Sequence, residues 1–115
     1  MGQYFFAINE TKKEYFGSWE IGLAKLWEWC VNRQAGVFPY LLRRSDGGGG
    51  GDISGECKYA GRWAGDRVSL MGDCDSSEML DYALATFADI TEDLVEDYNE
   101  FIRIPQYKVG SKERR

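Results

Sequence analysis

Gly61-Arg62-Trp63-Ala64-Gly65-Asp66-Arg67 runs straight into Val68-Ser69-Leu70-Met71-Gly72-Asp73. The second half alternates: from Arg67 to Gly72, Val68 and Leu70 share one face, as in a strand with one side buried. The first half is a turn, with glycines that let the backbone bend or approach another group closely. Two arginines, an aspartate and a tryptophan beside a strand entry either lock a fold together or hold an anionic ligand.

Working outward, Gln3–Ile8 is rich in aromatic residues and reads as a strand. Asn9–Lys13 reads as a turn and Glu14–Phe16 as a short return strand, so the N-terminus is expected to form a hairpin. From Gly22 to Val31, the residues Leu23, Leu26, Trp27, Cys30 and Val31 fall on one helical stripe, which predicts a core-facing helix within residues 21–33. Trp29 falls off that stripe. Val37–Leu42 is a short apolar run, expected to be an edge strand because it contains Pro39. Leu80–Phe87 fits both periods, with Tyr82, Leu84 and Thr86 alternating and Leu80, Ala83, Leu84 and Phe87 spaced as in a helix; a short strand or irregular segment is the expectation. Thr91 is a suitable N-cap for a second helix, 91–102, whose apolar face is Ile90, Leu94, Val95, Tyr98, Phe101 and Ile102. Glu92 and Asp93 suit the positive end of that helix. The sum is an α+β class domain, a single small unit over residues 1–105 with a mostly antiparallel sheet and two helices. A flexible glycine-rich loop spans 46–56, and a basic, loose tail is expected over 106–115.

The chain has 115 residues, 43% apolar and 15% aromatic, enough for the modest core of one domain. No apolar run approaches the ~20 residues of a membrane helix, and the N-terminus has neither a signal-peptide pattern nor the Ser or Thr of a myristoylation motif. Histidine is absent, which excludes Ser-His and Cys-His nucleophile pairs. Cys30, Cys57 and Cys74 are too scattered for a zinc motif, and their odd number suits a reducing, cytoplasmic setting in which they pack as small hydrophobes. The net charge is −5, but from Val68 to Ile102 there are ten acids and no base. The remaining residues carry 14 bases and, by subtraction from 19, nine acids, a net of +5. This polarity speaks against duplex nucleic acid as a partner of the acidic part, while the basic part suits a small anion.

Met1-Gly2-Gln3-Tyr4, Gly22–Glu28, Gly50-Gly51-Asp52, Gly61–Arg67 and Phe87-Ala88-Asp89-Ile90-Thr91 occur in that order. The combination resembles a small family of bacterial, phage and fungal proteins that open MGQY and carry GGD and GRWAGDR segments. It covers roughly residues 1–100. The resemblance implies a shared fold and a viral or mobile-element setting, hence the host cytoplasm, and no mechanism. This chain departs from the pattern by being short between Tyr40 and Gly61.

Each candidate site has a structural alternative. Lys25, Arg62, Trp63 and Arg67 would make an anion clamp, Arg supplying the planar fork and Lys a point charge; alternatively the arginines form fold-locking ion pairs and Trp63 is core. The glycine run could make a backbone anion nest, but lacks the Gly-Lys-Ser/Thr of a phosphate loop. Asp73-x-Asp75 lacks the glycine and final glutamate of a calcium loop, so neither metal nor cofactor is expected. Glu92, Asp93, Glu96, Asp97 and Glu100 line an acidic outer helix face that would dock a basic protein surface. The functional expectation is a non-enzymatic binding module for a small, nucleotide-like anion or a host protein. The alternatives are an acidic interaction or counter-defence protein, and a small carboxylate-dependent hydrolase with Asp66 or Asp52 as general base.

Overall fold

A computed structural model describes residues 2–17, 21–53, 55–103 and 108–109. The N-terminal hairpin forms as expected: β1 (Phe5–Asn9) pairs antiparallel with β2 (Glu14–Phe16), setting Ala7 opposite Phe16 and Asn9 opposite Glu14. The alternating stretch is β3 (Val68–Gly72), antiparallel to β1 on its other side. A two-residue strand, β4 (Ala88–Asp89), adds parallel to β2, so the four-stranded sheet is mixed, in the order β3-β1-β2-β4. The α+β class holds.

Both sheet faces are covered. Ala7, Phe16 and, at the margin, Phe5 and Leu70 face the main core, which also takes Trp29, Val37, Tyr40, Leu41, Trp63, Leu94 and Tyr98. Ile8, with Phe6, Tyr15 and Met71, faces a smaller cluster under Leu80, Ala83 and Phe87.

The helices correct the sequence reading in four places. α1 spans only Leu26–Val31. Gly22 adopts φ +93°, Lys25 is extended, and the Glu28 carboxylate accepts from the N–H groups of Ala24 and Lys25 at 3.1 and 2.8 Å, which starts the helix late. Trp29 then faces inward against Phe16, ring centroids 5.5 Å apart, while Leu26, Trp27, Cys30 and Val31 face solvent. The expected core stripe is therefore the outer face, and the packing of Trp29 against Phe16 and Phe38 sets the rotation. Leu23 is buried as expected, but from extended chain.

The expected edge strand at Val37–Leu42 is a helix, α2, entered from a 3₁₀ turn at Arg33–Gly36. Pro39 sits in its first turn, where a backbone N–H has no helical partner anyway. Val37, Tyr40 and Leu41 are buried at helical spacing. Met79–Thr86 is likewise a helix, α3, burying Leu80 and Ala83. The last helix, α4 (Thr91–Phe101), matches its expected extent. Thr91 is its first residue rather than its cap; Asp89 Oδ1 accepts the Thr91 N–H at 3.0 Å, and the Thr91 hydroxyl receives the Gly17 N–H at 2.9 Å.

Two further expectations change. Val109, in the segment read as a loose tail, is buried in the main core and donates its N–H to Asn99 Oδ1 at 2.9 Å; apart from Lys108, the rest of 106–115 lies outside the described residues. Cys30 and Cys74 are exposed thiols, and only Cys57 is half-buried. No helix among the described residues is long and apolar enough to cross a membrane.

Candidate functional site

The turn end of the hairpin creates a problem that the Gly61–Arg67 turn solves. Asn9 and Glu14 lie opposite one another on the core-facing side of β1 and β2, and both are buried. A buried carboxylate is costly unless paired and hydrogen-bonded. Arg62 supplies the pair: its Nε donates to Glu14 Oε1 and Oε2 at 3.1 and 3.2 Å, and its Nη2 closes a still shorter bond to Oε2. Trp63 Nε1 donates to Glu14 Oε1 at 2.8 Å. Asn9 Nδ2 donates to Asp66 Oδ2 at 2.9 Å, and Lys12 Nζ reaches the same oxygen at 2.7 Å. Burial pushes the Glu14 carboxyl up, but the bonds from Arg62 and Trp63 outweigh it and leave the group below its ordinary value.

The other side of the turn docks on α2. Gly61 N–H and Trp63 N–H donate to the carbonyls of Tyr40 and Leu41 at 2.8 and 2.9 Å, meeting acceptors that a helix end leaves unpaired. Gly61 must be glycine here: its φ is +74°, and a Cβ would stand 2.7 Å from the Arg43 carbonyl oxygen. Gly61→Ala is expected to cost about 2–3 kcal/mol, combining left-handed strain with a backbone clash. Gly47→Ala, where a Cβ meets nothing within 4 Å, should stay within about 0.5 kcal/mol of wild type. Urea midpoints of the two variants check the contrast.

The four residues of the expected anion clamp are therefore dispersed. Arg62 and Trp63 converge on Glu14, and Trp63 is wholly buried, so it lines no open cleft. Arg67 turns away: its side chain is 81% exposed, 3.6 Å from Glu10, while its backbone N–H binds Thr11 Oγ1. Lys25 is an exposed residue at the start of α1, its side chain beside Gly2. Of the candidate general bases, Asp66 is held below its ordinary value by Asn9 and Lys12. Asp52 is drawn down to about 2 by the Arg43 guanidinium and the Ile53 N–H. Carboxylates so stabilised in the charged form are weak bases near neutral pH. Arg43 also reaches the carbonyls of Ser45 and Gly47, clipping shut the base of the glycine loop.

The acidic face of α4 divides into structural and open positions. Asp97 accepts from the Tyr40 hydroxyl at 2.5 Å and from the N–H groups of Lys58 and Tyr59 at 3.0 and 2.8 Å. Burial and Asp97 together raise the Tyr40 phenol well above its ordinary range. Asp93 lies 3.4 Å from Lys58 Nζ in an exposed pair. Glu92, Glu96 and Glu100 are exposed on the outer side. Beside them, where the end of α4 meets the segment around Cys57, is a groove of about 370 Å³. Phe101, Ile102 and Cys57 give it an apolar floor; Asp52, Glu56, Asp97, Glu100 and Arg103 give it a charged rim. Asp52 and Asp97 are engaged as described, but Glu56 and Glu100 have no ion-pair partner among the described residues.

No family model, curated protein or solved structure matches this chain. The chemistry therefore rests on the side chains themselves. Among the described residues no three His, Cys, Asp or Glu side chains cluster to hold a metal. Asp75 instead accepts the Ser77 N–H, and Asp73 the Tyr4 N–H. The groove is lined by four carboxylates and one arginine beside apolar side chains, a balance that suits a cationic head on an apolar body. Sequence reasoning singled out Glu100 and Asp97 but missed Glu56, Phe101 and Ile102 as one surface. It also missed Glu14, although a carboxylate two residues before Phe16 on the same strand face was a readable sign of a buried pair.

Proposed function

We propose that this chain is a non-enzymatic protein-binding module whose groove beside α4 takes a basic, apolar segment of a protein partner. The observation that carries this reading is the pair of exposed carboxylates, Glu56 and Glu100, which have no ion-pair partner among the described residues and line the groove beside Phe101 and Ile102. In the viral or mobile-element setting that the MGQY resemblance implies, the partner would be a host protein. Small anions are less well served, because Glu14 occupies Arg62 and Trp63 is buried.

The test is a fluorescence-anisotropy titration with a labelled peptide alternating Lys or Arg with Leu and Trp, beside an acidic counterpart. Saturable binding of the basic peptide is expected. It should weaken roughly tenfold or more in Glu100→Lys and weaken with added salt as exposed charges are screened. Nucleotides should give no thermal shift. Absence of basic-peptide binding, or binding indifferent to Glu100→Lys, would overturn the reading.

A further inference from the structure

β3 stands at one edge of the sheet and, among the described residues, pairs only with β1. The ladder fixes which of its backbone groups point outward. Glu10 N–H donates to the Arg67 carbonyl and Asp73 N–H to the Tyr4 carbonyl, both at 2.9 Å, and these bonds flank the unbroken register from Asn9–Val68 to Phe5–Gly72. Antiparallel partners alternate between bonded and non-bonded pairs. Arg67, Ser69, Met71 and Asp73 therefore turn their N–H and carbonyl groups toward β1, and Val68, Leu70 and Gly72 turn theirs away. Gly72 is buried and its carbonyl takes the Asp75 N–H at 3.1 Å. The outward groups of Val68 and Leu70, both half-buried beside exposed Ser69, have no backbone or side-chain partner among the described residues. Edges meant to stay single are blunted by Lys, Pro or a bulge, and Val68–Gly72 has none of these.

We infer that β3 pairs with β3 of a second copy, antiparallel about a two-fold axis at Leu70, so that two four-stranded sheets become one. This register alone pairs the whole strand: Leu70 meets Leu70, Ser69 meets Met71 and Val68 meets Gly72. It also sets Arg67 opposite Asp73 of the second copy at both ends. These are non-bonded pairs, in which Cα atoms approach to about 4.5 Å and side chains lie closest. Both charges can meet. Arg67 is 81% exposed and touches Glu10 only through Nε, at 3.6 Å, which leaves its two terminal nitrogens. Asp73 uses Oδ1 for the Tyr4 N–H and the Cys74 thiol, which leaves Oδ2. Any shift of register leaves part of β3 unpaired and takes Arg67 off Asp73. A foreign strand would have to bring matching charges, whereas a second copy has them by symmetry. The contact joins one patch to itself and closes at the dimer.

Sedimentation velocity of the full chain from about 10 μM to about 1 mM, a range that brackets modest affinities, should show monomer giving way to dimer and nothing larger. Amide exchange followed by NMR over the same range reads the register. The Leu70 N–H should become protected only as the dimer forms, while the Ser69 and Met71 N–H groups, bonded to β1, stay protected throughout. Arg67→Glu should raise the dimer dissociation constant roughly tenfold or more. Asp73→Lys should do the same, with protected Ser69 and Met71 amides showing that it folds. Mixed in equal amounts the two variants should form a heterodimer, because each junction then holds opposite charges. Monomer at every concentration, with a freely exchanging Leu70 amide, overturns the inference and leaves the edge to a foreign strand. A dimer that Arg67→Glu leaves intact, or that gives Leu70 no protection, also overturns it, since the copies then meet elsewhere. β3 shares no residue with the α4 groove, so binding of the basic peptide stands or falls separately and should be unchanged in Arg67→Glu.

Discussion

Trp63→Ala is expected to lower the unfolding free energy by about 3–5 kcal/mol, the usual cost of emptying a buried aromatic site. For a domain whose whole stability is about 5–15 kcal/mol, that is enough to leave a substantial unfolded fraction. Three losses combine. The indole is wholly buried, its ring packs 5.7 Å from Phe16, and its N–H serves Glu14 Oε1 at 2.8 Å. Trp63→Phe keeps most of the ring and removes the donor, so it isolates the third loss, at about 1–3 kcal/mol. Urea unfolding of the three proteins should rank them wild type, Trp63→Phe, Trp63→Ala in falling midpoint. A Trp63→Ala protein within about 1 kcal/mol of wild type would show that the turn is not part of the core, a smaller loss than any aromatic cavity should give.

The parts of this fold that were legible are those in which a local period coincides with the buried face. Val68 and Leu70 alternate, and β3 forms; Leu94, Val95 and Tyr98 recur at helical spacing, and α4 forms. Val37–Leu42 was misread as a strand because six apolar residues fit either period; the deciding spacing, Val37 with Tyr40 and Leu41, becomes visible only once Pro39 is allowed in a first helical turn. α1 misled for a different reason. Its stripe is a sound helical pattern, yet tertiary packing overrides it, since the core takes Trp29 and the Glu28 cap fixes where the helix begins. Local pattern and final packing thus conflict at α1, and packing wins.

The site was less legible because its partners are far apart in sequence. Arg62 meets Glu14 across 48 residues and Asp66 meets Asn9 across 57. Composition announced that the arginines had a purpose but not which carboxylate they serve. Once the hairpin places Asn9 and Glu14 on the inward face, physical chemistry requires a cation and an acceptor nearby, and the GRWAGD turn carries both. The stretch is thereby explained as a clasp on the hairpin.

The clasp has a pH signature. The Glu14 carboxyl lies below its ordinary value of 4.5 in the folded protein, so folding favours its charged form. The stability it contributes is complete above the unfolded-state value and is lost as pH falls through the folded one. Asp66 and Asp52 shift in the same direction, so the whole protein should lose stability on acidification below about pH 5. Glu14→Gln keeps the shape but not the charge. It leaves Arg62, whose side chain is partly exposed and reaches water, without its counter-ion, at a cost near neutral pH of about 1–3 kcal/mol. The gap between wild type and Glu14→Gln should therefore be widest from about pH 6 to 7 and shrink steadily as the wild-type carboxylate protonates. Urea midpoints of both proteins between about pH 7 and pH 3 measure this directly, since the variant lacks the group whose titration is in question. A gap that stays constant across the range would mean that the charge of Glu14 contributes nothing and that the clasp holds by packing and neutral hydrogen bonds alone. A gap that widens on acidification would reverse the sign argued here.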